Sequence, residues 1–481
     1  MPKENYQAVI GLEIHAQLQT EAKAFCEDST QFGMMPNTQV SAISLGHPGT
    51  LPVHNKKAVE FAIMMGIALD CDIREYNKYS RKNYFYADLP KGYQITQDST
   101  PICNNGFVTI KTKNGTKKVN LTRIHMEEDS GKSLHDQHME YTLVDYNRAG
   151  TALIEIVSEP EIADGDEAYQ YISEIRKLVR YLGICDGNME EGSLRCDANI
   201  SIMPKGTHTF GTKVEVKNMN SMSNVKRAIE FEIERQAALL DKGVTFESET
   251  RGFNPLDGST FSMRAKEMAN DYRYFPEPDL PPLIVSEEMK EEIKLAMPML
   301  PKEVIVKLEQ EFNLPNYDVE VISEDKAMAN YYFSIVEHTK NYKAAANWLM
   351  GAIKSYLNET ARTIDQFPLR GKQIAQLIAL VDDGKLSNSS ASQKVFPALV
   401  AQPEKVVEQL AQELNVIQTA DMDFIGELIQ NALDKYPDKI EAYRNGKTNL
   451  LGLFVGEVMK YSKGKADPRV VNEELRKKLD E

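Results

Sequence analysis

The sequence predicts an α+β fold that gives way to helices, and three observations carry that prediction. Short segments of alternating apolar and polar residues fill the chain to about residue 290. Two amphipathic helices interrupt them in an irregular order, unlike a βαβ repeat. Beyond Met297-Pro298 the texture changes to helices separated by short polar turns.

The elements follow in chain order. Ala8 to His15 reads as a strand with Ala8, Ile10, Leu12 and Ile14 on one face, which leaves Glu13 and His15 together on the other. A helix opened near Asp164 or Asp166 buries Ala168, Ile172, Ile175, Val179 and Leu182 and stops at Gly183. From Leu194 to Ile202 apolar residues alternate with Arg195, Asp197, Asn199 and Ser201, and around 213–217 Val214 and Val216 oppose Lys213, Glu215 and Lys217. A second helix uses Met222, Val225, Ile229, Ile233 and Leu240 and stops at Gly243. The proline-rich run Tyr274 to Pro282 is rigid and extended, since each Pro disfavours helix at the residue before it. Pro397, Pro403 and the charged stretch after them mark a second boundary. The chain of 481 residues exceeds one hydrophobic core, and we expect three domains, at 1–293, 294–405 and 406–481.

Composition narrows the function. Hydrophobic residues make up 42%, which excludes wholesale disorder. No apolar run approaches the roughly 20 residues that span a bilayer, and the first residues lack a signal peptide's apolar stretch. Cys26, Cys71, Cys103, Cys185 and Cys196 form no CxxC pair, which argues against a disulfide framework and a thiolate zinc site. A cytoplasmic protein is the simplest expectation. The net charge of −15 disfavours general nucleic-acid binding, so any RNA contact is confined to local patches.

Candidate chemistry lies mainly in the first part. Residues two apart on a strand lie roughly 6.5–7 Å apart at Cα, so Glu13 and His15 are within reach of one cation. Alone, the pair fits a solvated strand face as well. His125-Met126-Glu127-Glu128-Asp129 reads by itself as an acidic loop or cap. Glu155, inside Leu153-Ile154-Glu155-Ile156-Val157, needs a partner because an unpaired buried carboxylate costs several kcal/mol. Asp197 shares its face with Arg195 and Asn199. Oxygen donors with one imidazole (Glu13, His15, Glu128, Glu155, Asp197) suit Mg²⁺ or Mn²⁺ better than zinc. No phosphate-binding glycine loop and no G-x-S-x-G elbow is present. ATP, if used, must be held through the metal and through basic side chains, for which Arg195 and Lys217 are candidates. In the segment 78–94 basic residues interleave with aromatics, and Lys82, Asp88 and Lys91 bracket a turn. Near the C-terminus Lys460 and Lys463 offer an RNA-backbone contact, although a helix C-terminus attracts lysine anyway.

Longer motifs then point to a family. V-I-G-L-E-I-H (9–15), P-G-T-L-P-V (48–53), R-K-N-Y-F-Y-A-D-L-P-K-G-Y-Q (81–94), H-M-E-E-D-S-G-K (125–132), D-Y-N-R-A-G-T-A-L-I-E-I-V-S-E-P (145–160), M-E-E-G-S-L-R-C-D-A-N-I-S (189–201), D-Y-R-Y-F-P-E-P-D (271–279), N-W-L-M-G (347–351) and G-K-T-N-L-L-G-L-F-V-G-E-V-M-K (446–460) occur in that order. In these the chain resembles the B-subunit family of the glutamyl/aspartyl-tRNA amidotransferases, the GatCAB complexes, over essentially its whole length. Ala87 stands where the family pattern has Pro, and His54 where an aliphatic residue is commoner. The resemblance implies a cradle-shaped catalytic domain, a helical domain and a small helical tail that contacts tRNA. It implies an ATP- and Mg²⁺-dependent ligase that phosphorylates the side-chain carboxylate of Glu or Asp misacylated onto tRNA(Gln) or tRNA(Asn). Ammonia sent from a glutaminase A subunit displaces phosphate, and a small C subunit completes the heterotrimer. Residue by residue it makes His15, Glu128 and Glu155 metal ligands with Glu13 and Asp197 close by, and places Lys82 and Lys91 at the ammonia-channel mouth or acyl-acceptor site. The competing expectation is a non-catalytic tRNA-binding scaffold whose acids are structural.

Overall fold

The computed structural model describes residues 5–135, 137–265, 272–418, 422–462 and 465–480. The chain divides into two compact units, residues 1–301 and 302–481. The first holds a sheet of thirteen strands. Ten form its principal path: β1 Tyr6–Gln17, β2 Ser80–Asn83, β3 Tyr93–Thr96, β4 Gly115–Glu128, β5 Ala152–Ser158, β6 Leu194–Pro204, β7 Val214–Lys217, β8 Glu249–Phe253, β9 Thr260–Ala265 and β10 Arg273–Pro276. Their order is β9-β8-β7-β6-β1-β5-β4-β3-β2-β10. Neighbours on this path run antiparallel except β7 and β8, which are parallel, so the sheet is mixed.

Alternation along these strands separates a core face from a polar face. Ile10, Leu12, Ile14 and Ala16 of β1 are fully buried with Ile154 and Ile156 of β5 and Ala198 and Ile200 of β6. They pack under three helices, α1 Lys56–Ala68, α2 Gly165–Leu182 and α3 Met222–Asp241. Each buried Ile or Leu among them contributes about 1.5–3 kcal/mol relative to exposure, which fixes the strand register because a one-residue slip would invert every face. The α2 helix follows its sequence signals: the Asp164 carboxylate accepts from the Glu167 N–H, and Gly183 ends it at φ 70°. Helix α3 begins at the Ser221 cap.

The register puts chemistry on the opposite face. His15 lies between Glu155 of β5 and Arg195 of β6, and Glu13 lies opposite Asp197. Glu155 is in turn opposite His125 of β4. The apolar half of the alternation therefore positions the polar half.

The second unit is helical throughout its described residues apart from turns. Within it, residues 425–479 have a hydrophobic core of their own, built from Ile425, Ile429, Phe454, Val458, Val471, Leu475 and neighbours. No helix among the described residues is long and apolar enough to cross a membrane.

Candidate functional site

Three antiparallel neighbours, β1, β5 and β4, aim His15, Glu155 and Glu127 at one point. His15 Nε2 lies 3.3 Å from Glu155 Oε2 and 3.5 Å from Glu127 Oε1. One ligand atom from each lies within 4.8 Å of the others, a spacing one cation can bridge. His125 Nε2 approaches the same carboxylates, at 3.3 Å from Glu155 and 3.8 Å from Glu127. Burial alone pulls the His15 imidazole toward neutrality, but Glu155 and then Glu127 outweigh it and raise its pKa to about 9. Burial pushes the Glu155 carboxyl up, yet His15, His125 and Lys82 hold it well below the usual range. The imidazolium thus occupies the electrostatic place of a cation. An imidazole with two carboxylates fits Mg²⁺ or Mn²⁺, which would take the place of that proton.

A second triad shares β1 and lies on its other side. Glu13, Asp197 and Glu215, from β1, β6 and β7, also bring ligand oxygens within 4.8 Å of one another. This one carries its own counter-ion. Lys217 Nζ lies 2.7 Å from Asp197 Oδ2 and 3.0 Å from Glu215 Oε1. Asn199 Nδ2 donates to Glu13 Oε1 at 2.8 Å, and Thr250 Oγ1 donates to Glu215 at 2.9 Å. Burial, then the charge of Glu155, raises the Glu13 pKa. Burial disfavours the Lys217 ammonium, but Asp197 and Glu215 more than restore it, so its pKa stands raised.

Cations frame both triads. Arg195 donates to Asp129 Oδ2 at 2.9 Å, while its buried Nε has no partner among the described residues. Lys82 reaches the same face from β2, its ammonium 4.6 Å from the Tyr272 ring centroid. Burial would lower its pKa, but the charges of Glu127, Tyr274, Tyr272 and Glu155 raise it.

Glu128 is elsewhere. Consecutive strand residues point to opposite faces, so Glu128 turns from His15 and Glu155 while Glu127 turns toward them. Glu128 is ion-paired with Lys91 and accepts the Ile95 N–H at 2.9 Å through its side chain. The pair lines a cavity of about 260 Å³ with Ser44, His47, Arg81 and Tyr93. The sequence grouped Glu128 with His15 and Glu155 and separated out neither Glu127 nor His125. The signal was there: His125-x-Glu127 repeats the two-residue spacing of Glu13-x-His15. Glu215, already placed on a polar strand face, needed only the pairing of β7 with β6. Lys82 and Lys91, considered together in the sequence, serve different neighbourhoods, one beside Glu127 and the other against Glu128. In the tail, Lys460 is exposed on the helix Leu451–Tyr461, and Lys463 lies outside the described residues.

A family model described as the GatB/GatE catalytic domain matches residues 8–291. The chain belongs to the GatB family. A second model, described as the GatB domain, matches residues 330–479. Among its relatives is the B subunit of the aspartyl/glutamyl-tRNA(Asn/Gln) amidotransferase of Thermodesulfovibrio yellowstonii, 47% identical over 99% of this chain and all of the relative. The proteins of the same name from Syntrophotalea carbinolica and Geobacter sulfurreducens are each 48% identical, covering 98% and 99% of both chains. Both triads fall within the GatB catalytic match, and Lys460 falls within the other.

Proposed function

We propose that this chain is the carboxylate-activating subunit of a tRNA-dependent amidotransferase, acting on Glu-tRNA(Gln), Asp-tRNA(Asn) or both. The observation that carries the reading is the polar face itself, where His15, Glu127 and Glu155 converge beside Lys82 in a member of the GatB family. The side-chain carboxylate of the misacylated amino acid attacks the γ-phosphorus of ATP, the bond to the β-phosphate oxygen breaks, and ADP leaves. Ammonia then attacks the acyl carbon, the carbon–oxygen bond to phosphate breaks, and the amide forms.

Such transfer needs charge neutralisation and alignment more than covalent chemistry. Mg²⁺, when bound, neutralises phosphate oxygens. His15, Glu127 and Glu155 would hold it, and Glu13, Asp197 and Glu215 form the neighbouring acidic set. Lys82 meets the incoming carboxylate, and Arg195 and Lys217 contact phosphate. The cavity bounded by Lys91 and Glu128 is proposed to receive ammonia from a glutaminase A subunit, with a C subunit completing a cytoplasmic heterotrimer. The helical part is proposed to divide near residue 405, and Lys460 and Lys463 of the tail contact the tRNA backbone. The test is labelled phosphate release from ATP by the assembled complex with Glu-tRNA(Gln) present. Glu127→Ala and chelation of divalent ions should each abolish release; release that survives both would reduce the chain to a tRNA-binding scaffold.

A further inference from the structure

The polar face continues outward past Lys82 into a row of tyrosines that the chemistry above does not use. Lys82 of β2 pairs with Tyr274 of β10, the edge strand of the sheet. Tyr84, just after β2, and Tyr272, just before β10, both lie against Lys82, whose ammonium is 5.9 and 4.6 Å from their ring centroids. Their rings meet edge to face in sequence. Tyr86 and Tyr84 are 5.8 Å apart at 68°, Tyr84 and Tyr272 5.7 Å at 68°, and Tyr272 and Tyr274 6.4 Å at 80°. These separations and angles are those that aromatic pairs prefer. Lys82 lies over the Tyr272 ring, joining the row to the Glu127 triad. At the two ends of the row Tyr86 is 58% and Tyr274 39% exposed.

We propose that this row is a stacking platform for an adenine nucleoside. The proposal rests on the function proposed above, whose two adenosine-bearing substrates are ATP and the 3′ terminus of tRNA. Two inter-strand steps of about 4.8 Å separate the Glu127 strand from the Lys82 strand. That places the rings about one aminoacyl-adenosine length from the triad, with Lys82 between base and reacting group. Tyrosine faces stack any base, and the charge of Lys82 draws the anionic substrate across them. Tyr86 and Tyr274 are exposed and Tyr84 and Tyr272 half-buried, a contiguous aromatic surface of the kind that marks an interaction site.

The experiment uses the full-length chain and two fluorescent probes. One is tRNA(Gln) carrying 2-aminopurine in place of its terminal adenine; the other is 2-aminopurine riboside triphosphate. Stacking quenches the fluorophore, so the arm that is quenched identifies which substrate supplies the nucleoside. Tyr272→Phe should retain quenching, whereas Tyr272→Leu and Tyr274→Leu should abolish it and weaken that probe's binding about ten-fold. If the tRNA terminus is the source, removing its last nucleotide should weaken the wild type by the same factor and the Tyr272→Leu variant hardly at all. The exposed position of Tyr274 keeps the test meaningful should Tyr272→Leu fold poorly. Wild-type binding without quenching of either probe, or unaltered quenching in both leucine variants, overturns the platform alone. Failure of the wild type to bind either probe overturns the functional reading together with it.

Discussion

The two carboxylate triads on the polar face share a construction and differ in what neutralises them. In the Glu155 triad the positive charge is an imidazolium, His15, that a metal ion can replace by taking its proton's place. In the Asp197 triad it is Lys217, a permanent ammonium bonded to two of the three acids. A metal ion that displaces the His15 proton gains the imidazole nitrogen as a ligand, whereas Lys217 keeps its charge and offers none, so the first triad is built to exchange its cation and the second to retain it. The same sheet thus provides a replaceable charge on β1 and a fixed one on β7, two strands away.

Breaking the comparison should give unequal effects. The largest is expected from Glu155→Gln, which removes the carboxylate charge that faces both His15 and His125 and should lower tRNA-dependent ATP cleavage at least ~100-fold; Asp197→Asn should cost about ten-fold. Phosphate release by the assembled complex measures both, and equal losses would erase the distinction. The pH dependence of metal-free stability comes next. The folded His15 pKa, about 9, lies above its ordinary value of 6.5. Its contribution is therefore fully present below pH 6.5 and is lost as pH rises through about 9. Thermal unfolding in chelator should show a decline over that window, amounting to a few kcal/mol at most, and His15→Gln should flatten it. A smaller effect follows from Lys217→Met, which removes the ammonium paired with Asp197 and Glu215. Because Lys217 is partly exposed, the loss should be only about 1–2 kcal/mol in urea titrations. Millimolar Mg²⁺ should recover part of it, whereas an Mg²⁺-insensitive loss would deny the second triad any affinity for cations. The smallest is at the tail, where Lys460→Ala should weaken tRNA binding a few-fold and flatten its salt dependence by about one contact.

Much of this was legible in the sequence for a physical reason. β1, β6 and α2 announce themselves through local periodicity and caps, and those signals need no knowledge of distant residues. The polar company of Glu13, His15 and Asp197, and the isolation of Glu155 in an apolar run, were equally local. What local pattern could not supply was strand pairing. His125-Met126-Glu127-Glu128-Asp129 reads as an acidic loop until β4 is laid against β5, and only that register sends Glu127 to His15 and Glu128 to Lys91. Glu215 likewise gains meaning only when β7 pairs with β6. The tyrosine row joins residues 84 and 272, which no short-range pattern connects.

The choice between two adjacent glutamates is the sharpest test. Titration of the full-length chain with Mn²⁺, followed by the loss of the free ion's spin-resonance signal, should show Glu127→Gln binding at least ~10-fold more weakly than wild type. Glu128→Gln should bind as wild type does. Unaltered Mn²⁺ binding by Glu127→Gln with loss in Glu128→Gln would contradict a metal centre built on His15, Glu127 and Glu155.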